Sequence, residues 1–251
     1  GGLYWFFTRD YTSEFKFRVI QRIVHFIDPG LVYSATECVD EGTYMMSNLF
    51  PHRIDRYQGD DLVKGQIGST TIKFSELHTQ YKTTSTDSKG HTRTHWHTIF
   101  KGLFFEGDFN KHFKGRTLVL PDSAEKFFGN LGNLFQSWNS TRGELIKLED
   151  PEFEKMFVVY GNDQIEARYI LSTSLMKRIC DFKKKSRRNV HLSFIASKVF
   201  VAVSYYKNLF EPKVFATLLD FKPVQEYFED LQLAIGIVED LNLNTRIWTK
   251  V

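Results

Sequence analysis

A chain of 251 residues that is 42 % hydrophobic and 16 % aromatic has enough apolar side chain for one large domain or two small ones, which excludes disorder as its default state. Its 33 basic and 30 acidic residues leave a net charge of +3, too slight an imbalance to imply a nucleic-acid partner. Two distant cysteines, Cys38 and Cys180, make neither a CxxC pair nor a disulfide framework and point to a reducing, cytosolic compartment.

No uninterrupted apolar run reaches the ~18–20 residues that a membrane-spanning helix needs. Near the start, Leu3-Tyr4-Trp5-Phe6-Phe7 is followed by the polar Thr8-Arg9-Asp10. Such a cluster reads as a short hydrophobic segment packed on the domain, or as the interfacial end of a membrane helix. From about Thr12 to Asp28, Phe15, Val19, Ile23 and Ile27 recur at i+4, which predicts a helix that Pro29-Gly30 ends. A short apolar run over Leu31–Tyr33 and a helical turn around Tyr44–Phe50 follow.

From Arg53 to Phe105 the pattern turns to strands, with separators at Gly59-Asp60, Gly68-Ser69 and Asp87-Ser88-Lys89-Gly90. The last of these predicts a long hairpin between Thr70–Thr84 and Thr92–Phe105, with a polar, exposed tip. Ile99–Phe105 is apolar on both faces and belongs at the centre of a sheet. Ser123 can cap a helix whose stripe is Phe127, Leu131, Leu134 and Trp138.

After a loop at 139–142, Glu144–Leu148 reads as a strand, and Phe157–Tyr160 with Gln164–Leu171 as a hairpin across Gly161-Asn162-Asp163. A helix is expected over Thr173–Lys185, a further hairpin over Val190–Ile195 and Val199–Tyr205, and a strand over Val214–Leu219. A long amphipathic C-terminal helix begins at Pro223 with the stripe Val224, Tyr227, Phe228, Leu231, Ala234, Ile235, Val238 and Leu241. Arg246–Trp248 can add an edge strand. Hairpins followed by isolated helices predict an α+β fold with antiparallel sheet and about four helices.

The chemistry-bearing motifs are few. Walker, GxGxxG, HExxH, GxSxG and EF-hand patterns are missing, which lowers the expectation of an enzyme. His91, His95 and His97 fall on one face of a strand, and a tight hairpin would set His78 diagonally from His97, so His78, His95 and His97 form a candidate zinc site. Glu106 and Asp108 can be read as paired acids, or as the turn residues of a bend flanked by Lys111, His112, Lys114 and Arg116. In the run Lys183-Lys184-Lys185-Ser186-Arg187-Arg188, the cations suit a helix C-terminus. The same Lys183, Lys184, Lys185, Arg187 and Arg188 could instead meet anionic lipid head groups, at about 1 kcal/mol per residue.

Several stretches together resemble one bacterial family, the domain of unknown function 3137. They are Gly65-Gln66-Ile67-Gly68, Phe74-Ser75-Glu76-Leu77-His78, the run Ile99–Asp122, LEDPEFEKMFVVYGNDQIEARYIL over Leu148–Leu171, and Leu192-Ser193-Phe194. The resemblance covers about Arg53–Pro212 and brings no activity, cofactor or catalytic residue with it. It does imply membrane-spanning segments near the N-terminus followed by a module on the cytoplasmic side of the inner membrane, with Arg9, Lys16 and Arg18 meeting the positive-inside rule.

The expected organisation is a juxtamembrane or vector-derived remnant over 1–11 and one module over 12–251, with two lobes, 12–139 and 143–251, as the alternative. The expected function is a non-enzymatic, membrane-tethered binding or scaffold module for a partner protein or anionic lipid. The alternative is a metal-dependent or general acid/base hydrolase using His78, His95 and His97 with Asp108.

Overall fold

The structure, a computed structural model, describes residues 14, 16–109, 112–122, 143–211, 222–241 and 243. The expectations for 1–11, for the helix after Ser123, for Val214–Leu219 and for Arg246–Trp248 lie outside the described residues.

Alternation and burial build the architecture strand by strand. The strands are β1 (Leu31–Ser34), β2 (Arg56–Ile67), β3 (Thr70–Thr86), β4 (Thr92–Asp108), β5 (Arg116–Pro121), β6 (Glu144–Ile146), β7 (Phe157–Gly161), β8 (Val190–Ile195) and β9 (Lys198–Ser204). They join in one nine-stranded sheet of order β1-β2-β3-β4-β9-β8-β5-β7-β6, with antiparallel pairing throughout. Strand β5, from the 12–139 stretch, lies between β8 and β7, both from the 143–251 stretch, so the two stretches share this sheet.

The helical segments are a π-helical turn (Lys16–Ile20) running into α1 (Gln21–Ile27), then α2 (Glu41–Met46), α3 (Pro151–Met156), α4 (Gln164–Ile170), α5 (Thr173–Ser186), α6 (Lys222–Ile235) and α7 (Ile237–Asp240). Sheet plus helices make the fold α+β. Among the described residues no helix is long and apolar enough to cross a membrane.

One face of the sheet packs Val63, Phe74, Phe105, Leu192 and Val201 against the helices; the other packs Leu77, Phe104, Leu118 and Phe200 against Tyr44 and Phe50. Coverage on both faces explains the unbroken burial of β8 over Val190–Phe194, of β9 over Val199–Val203 and of β4 over Gly102–Gly107, β4 sitting between β3 and β9. Gly102 allows the β4–β9 pairing: it holds a φ of +150°, and a Cβ there would lie 2.1 Å from the Val203 carbonyl oxygen.

Three expected elements differ. Gln164–Leu171 is not a strand, because the Asp163 carboxylate accepts from the Ile165 and Glu166 amides and starts α4. Strand β7 pairs instead with β5 and β6. The single long C-terminal helix is broken at Gly236 into α6 and α7. Gly59-Asp60 does not separate two strands; it leads into a bulge inside β2, where Asp61 takes a φ of 59°.

Candidate functional site

The basic run closes α5. Ser172 caps the start of this helix by accepting from the Leu175 amide, while Leu175, Met176, Ile179, Cys180 and Phe182 bury one side of it. That apolar stripe leaves the cations on the other side of the last turn, where the negative end of the macrodipole favours them. Arg187 then adopts the left-handed conformation, φ 53°, and its amide closes on the Lys183 carbonyl. The reversal carries Arg188 over the ring of Tyr205, 4.7 Å from its centroid.

The cations are not equivalent. Lys183 donates to the Met156 carbonyl at 3.0 Å and lies 4.6 Å from the Phe157 ring centroid; burial holds its ammonium below the usual lysine range. Lys184 pairs with Glu152 at 2.5 Å, and the hydrogen bond and charge of that carboxylate hold it above the range. Lys185 turns away to Asp240, 2.8 Å distant. Between β9 and this helix end, Lys183, Lys184, Arg187 and Arg188 line a cleft of about 490 Å3 with Met156 and Tyr206. The Tyr206 side of it is wide open, for that residue is 89 % exposed. The Lys184–Glu152 pair is solvated on both sides and screened by water, so an arriving anion can displace the carboxylate.

The histidines lie elsewhere, on the arm formed by the outer halves of β3 and β4. The loop at its tip takes five residues, because the Asp87 amide donates to the His91 carbonyl and the Asp87 carboxylate accepts from the Lys89 and His91 amides. The first pair is therefore Thr86 with Thr92, and His97 stands opposite Tyr81 and His95 opposite Thr83. That is one residue off the register of a four-residue turn, and a one-residue slip flips every side chain. His78 thus falls on the face opposite His95 and His97, a correction to its expected diagonal placement.

His78 Nε2 meets Thr98 Oγ1 at 3.1 Å, and His97 Nε2 meets Thr83 Oγ1 at 2.8 Å. His97 also stacks on Tyr81, which stacks on His52 as well, with centroids 4.8 and 5.0 Å apart. His91, His95 and His97 are all exposed. Asp108 is eleven residues along β4 from His97, roughly 35 Å at ~3.3 Å per residue, so the structure does not bring them together. Glu106 is buried between Lys73 and Lys198, at 2.9 and 3.1 Å, and serves as their counter-ion.

Sequence reasoning missed a buried ionic cluster on the helical side of the sheet. Lys16 Nζ reaches Asp60 at 2.7 Å, Asp61 at 2.9 Å and Glu211 at 2.7 Å. Tyr33 donates its hydroxyl to Asp61. Burial by itself would lower Lys16, but the charge of Asp61 and hydrogen bonds to the three carboxylates outweigh it and hold the ammonium above its ordinary range. Beside this cluster Glu76 accepts from the Leu209 amide at 2.6 Å, and burial, with Asp60 and Asp61 nearby, pushes its carboxyl up to about 8. The adjacent acids Asp60-Asp61 after a glycine were the only local signal.

With the geometry in place, comparisons with known proteins give the family. Residues 98–243 match the family described as "Protein of unknown function (DUF3137)". The chain belongs to that family. For this DUF3137 member the matched span begins beyond the Gly65–Gly68 and Phe74–His78 motifs and takes in α6 and α7. No curated protein shows a sequence match to it. Among solved structures, the mycobacterial trehalose monomycolate transport factor A, TtfA, is similar at a TM-score of 0.43 and 9 % identity, over 92 % of this chain and 99 % of that one. A likeness that distant says nothing about function.

Proposed function

We propose that this chain is a binding module that docks on an anionic lipid surface through the basic cleft at the end of α5. The observation that carries the reading is the composition of that cleft. Lys183, Lys184, Arg187 and Arg188 converge beside an almost fully exposed Tyr206, whose ring and hydroxyl suit the boundary between head groups and acyl chains. Cations near a negative membrane contribute about 1 kcal/mol each, and the contribution falls away with salt. The two free cysteines, Cys38 and Cys180, suit the cytoplasmic face of a membrane.

Flotation with vesicles of graded phosphatidylglycerol content tests it. Binding is expected to rise with anionic content, to fall with salt, and to drop about thirtyfold, the equivalent of ~2 kcal/mol, in Lys184→Gln/Arg187→Gln. Binding that ignores both lipid charge and these substitutions would overturn the reading.

A further inference from the structure

The helix at the start of the described chain has a face that the core does not use. Its inner side is set by Ile20 and Val24, fully buried, and by Lys16, locked among three carboxylates. The outer arc carries Phe17, Arg18, Gln21, Arg22, His25 and Phe26, all exposed. None of the six is acidic. Arg18 has a partner in Glu14 at 2.9 Å, an exposed pair one helical turn away that an anion can displace.

Phe17 is 68 % and Phe26 79 % exposed. Single exposed apolar side chains are ordinary on a protein surface; two phenyl rings bracketing two guanidiniums and an imidazole are a composition that matches an anionic interface. Arginine pairs with phosphate oxygens, and a ring at head-group level leaves water without leaving its charged neighbours.

We propose that this outer arc is a second contact with the anionic lipid surface, seating Arg18 and Arg22 among the phosphates and Phe17 and Phe26 at the head-group boundary. The inference rests on the reading of the α5 cleft as a lipid-phosphate site and adds an orientation to it. Ile27 and Asp28, at the end of α1, line the same cleft of about 660 Å3 as Lys185 and Arg188, at the end of α5. The two basic elements therefore flank one opening. Five carboxylates also line that opening: Asp240 is held by Lys185 at 2.8 Å, Asp230 lies 3.9 Å from Lys207, Glu229 accepts from Gln225 at 2.8 Å, Asp28 accepts from the Gly30 amide at 2.7 Å, and Glu239 is the fifth, so the contacts with phosphate fall to the flanking elements and not to the opening itself. With contacts on either side of it, the protein cannot swivel about a single point of attachment.

Partition onto vesicles of phosphatidylcholine alone and of equimolar phosphatidylcholine and phosphatidylglycerol tests this, over a series of salt concentrations. Four proteins are compared: the wild type, Phe17→Ser/Phe26→Ser, Arg18→Gln/Arg22→Gln, and the cleft variant Lys184→Gln/Arg187→Gln. All of these side chains are exposed, so thermal midpoints should stay at the wild-type value; Phe17→Ser alone decides if the Phe26 change disturbs its neighbour Phe228.

The serine variant should bind anionic vesicles about tenfold more weakly with an unchanged salt slope, since it removes only apolar insertion. The α1 glutamine variant should bind more weakly with a flatter slope. If both α1 variants bind like wild type while the cleft variant is impaired, the second contact is overturned and the cleft reading stands. If the cleft variant binds like wild type while the α1 variants are impaired, the arc is a lipid contact and the cleft is not. If the wild type ignores anionic vesicles, as a protein built for an acidic protein partner would, both readings fall.

Discussion

Lys16 Nζ lies 2.9 Å from the carboxylate of Asp61, 45 residues away in sequence, and both side chains are buried. The pair pins the first helix to the bulge in β2. Removing one partner leaves a buried charge unpaired, which costs about 3–5 kcal/mol, whereas removing both costs much less. Lys16→Met should therefore lower the unfolding free energy by about 3–5 kcal/mol, and Lys16→Met/Asp61→Asn should restore part of it. Urea denaturation of the single and double variants measures both. A double variant no more stable than Lys16→Met would show that the ammonium does not act through Asp61.

Glu76 predicts a pH dependence. Its carboxyl is raised to about 8 in the fold, mainly by burial, against about 4.3 in the unfolded chain. Between those values the folded state holds a proton that the unfolded state has lost, so this group favours the fold at low pH and that contribution disappears as pH rises to about 8. Glu76→Gln cannot ionise. Unfolding free energies measured across this window should fall with pH more steeply for the wild type than for the variant; parallel curves would be the contrary result.

Gly102 faces a backbone oxygen where any Cβ would stand 2.1 Å away. Gly102→Ala must push β4 and β9 apart at the middle of the sheet and should destabilise by about 3 kcal/mol or more. Thermal unfolding reports the loss, and amide exchange should show it centred on Leu103 and Val203, which are paired across the two strands.

Arg187 pays the cost of the left-handed conformation that glycine adopts freely. Arg187→Gly should stabilise the fold by about 1 kcal/mol while weakening binding to anionic vesicles. Opposite changes in midpoint and vesicle partition would separate the residue's interfacial role from its place in the fold. Equal loss in both would instead make it a structural residue.

The amino-acid sequence by itself determined the local elements whose causes are local. The burial of Ile99–Phe105, the polar hairpin tip at Asp87–Gly90, the cationic end of α5 and the family motifs were all readable from side-chain pattern. What it misassigned turned on one capping carboxylate and on one residue of register. The strand expected over Gln164–Leu171 became a helix because one carboxylate, Asp163, caps it, while β7 found its neighbours in β5 and β6. The placement of His78 hinged on whether the arm's turn used four residues or five, and a single residue of register decides which face a side chain takes.

The candidate site divided the same way. Runs of lysine and arginine are visible as composition, but how each cation is held was decided by tertiary contacts: Asp240 takes Lys185, Met156 with Phe157 takes Lys183, and Lys184 keeps a solvated pair with Glu152 that an anion can displace. The arc of Phe17, Arg18, Arg22, His25 and Phe26 likewise faces solvent because the opposite side of that helix is anchored by Lys16. Only the fold brings Asp60, Asp61 and Glu211 together around that lysine, and a buried charge remains charged only where such partners converge. Periodicity reports which side of an element is apolar; which charges are neutralised and which stay available is a property of the assembled chain.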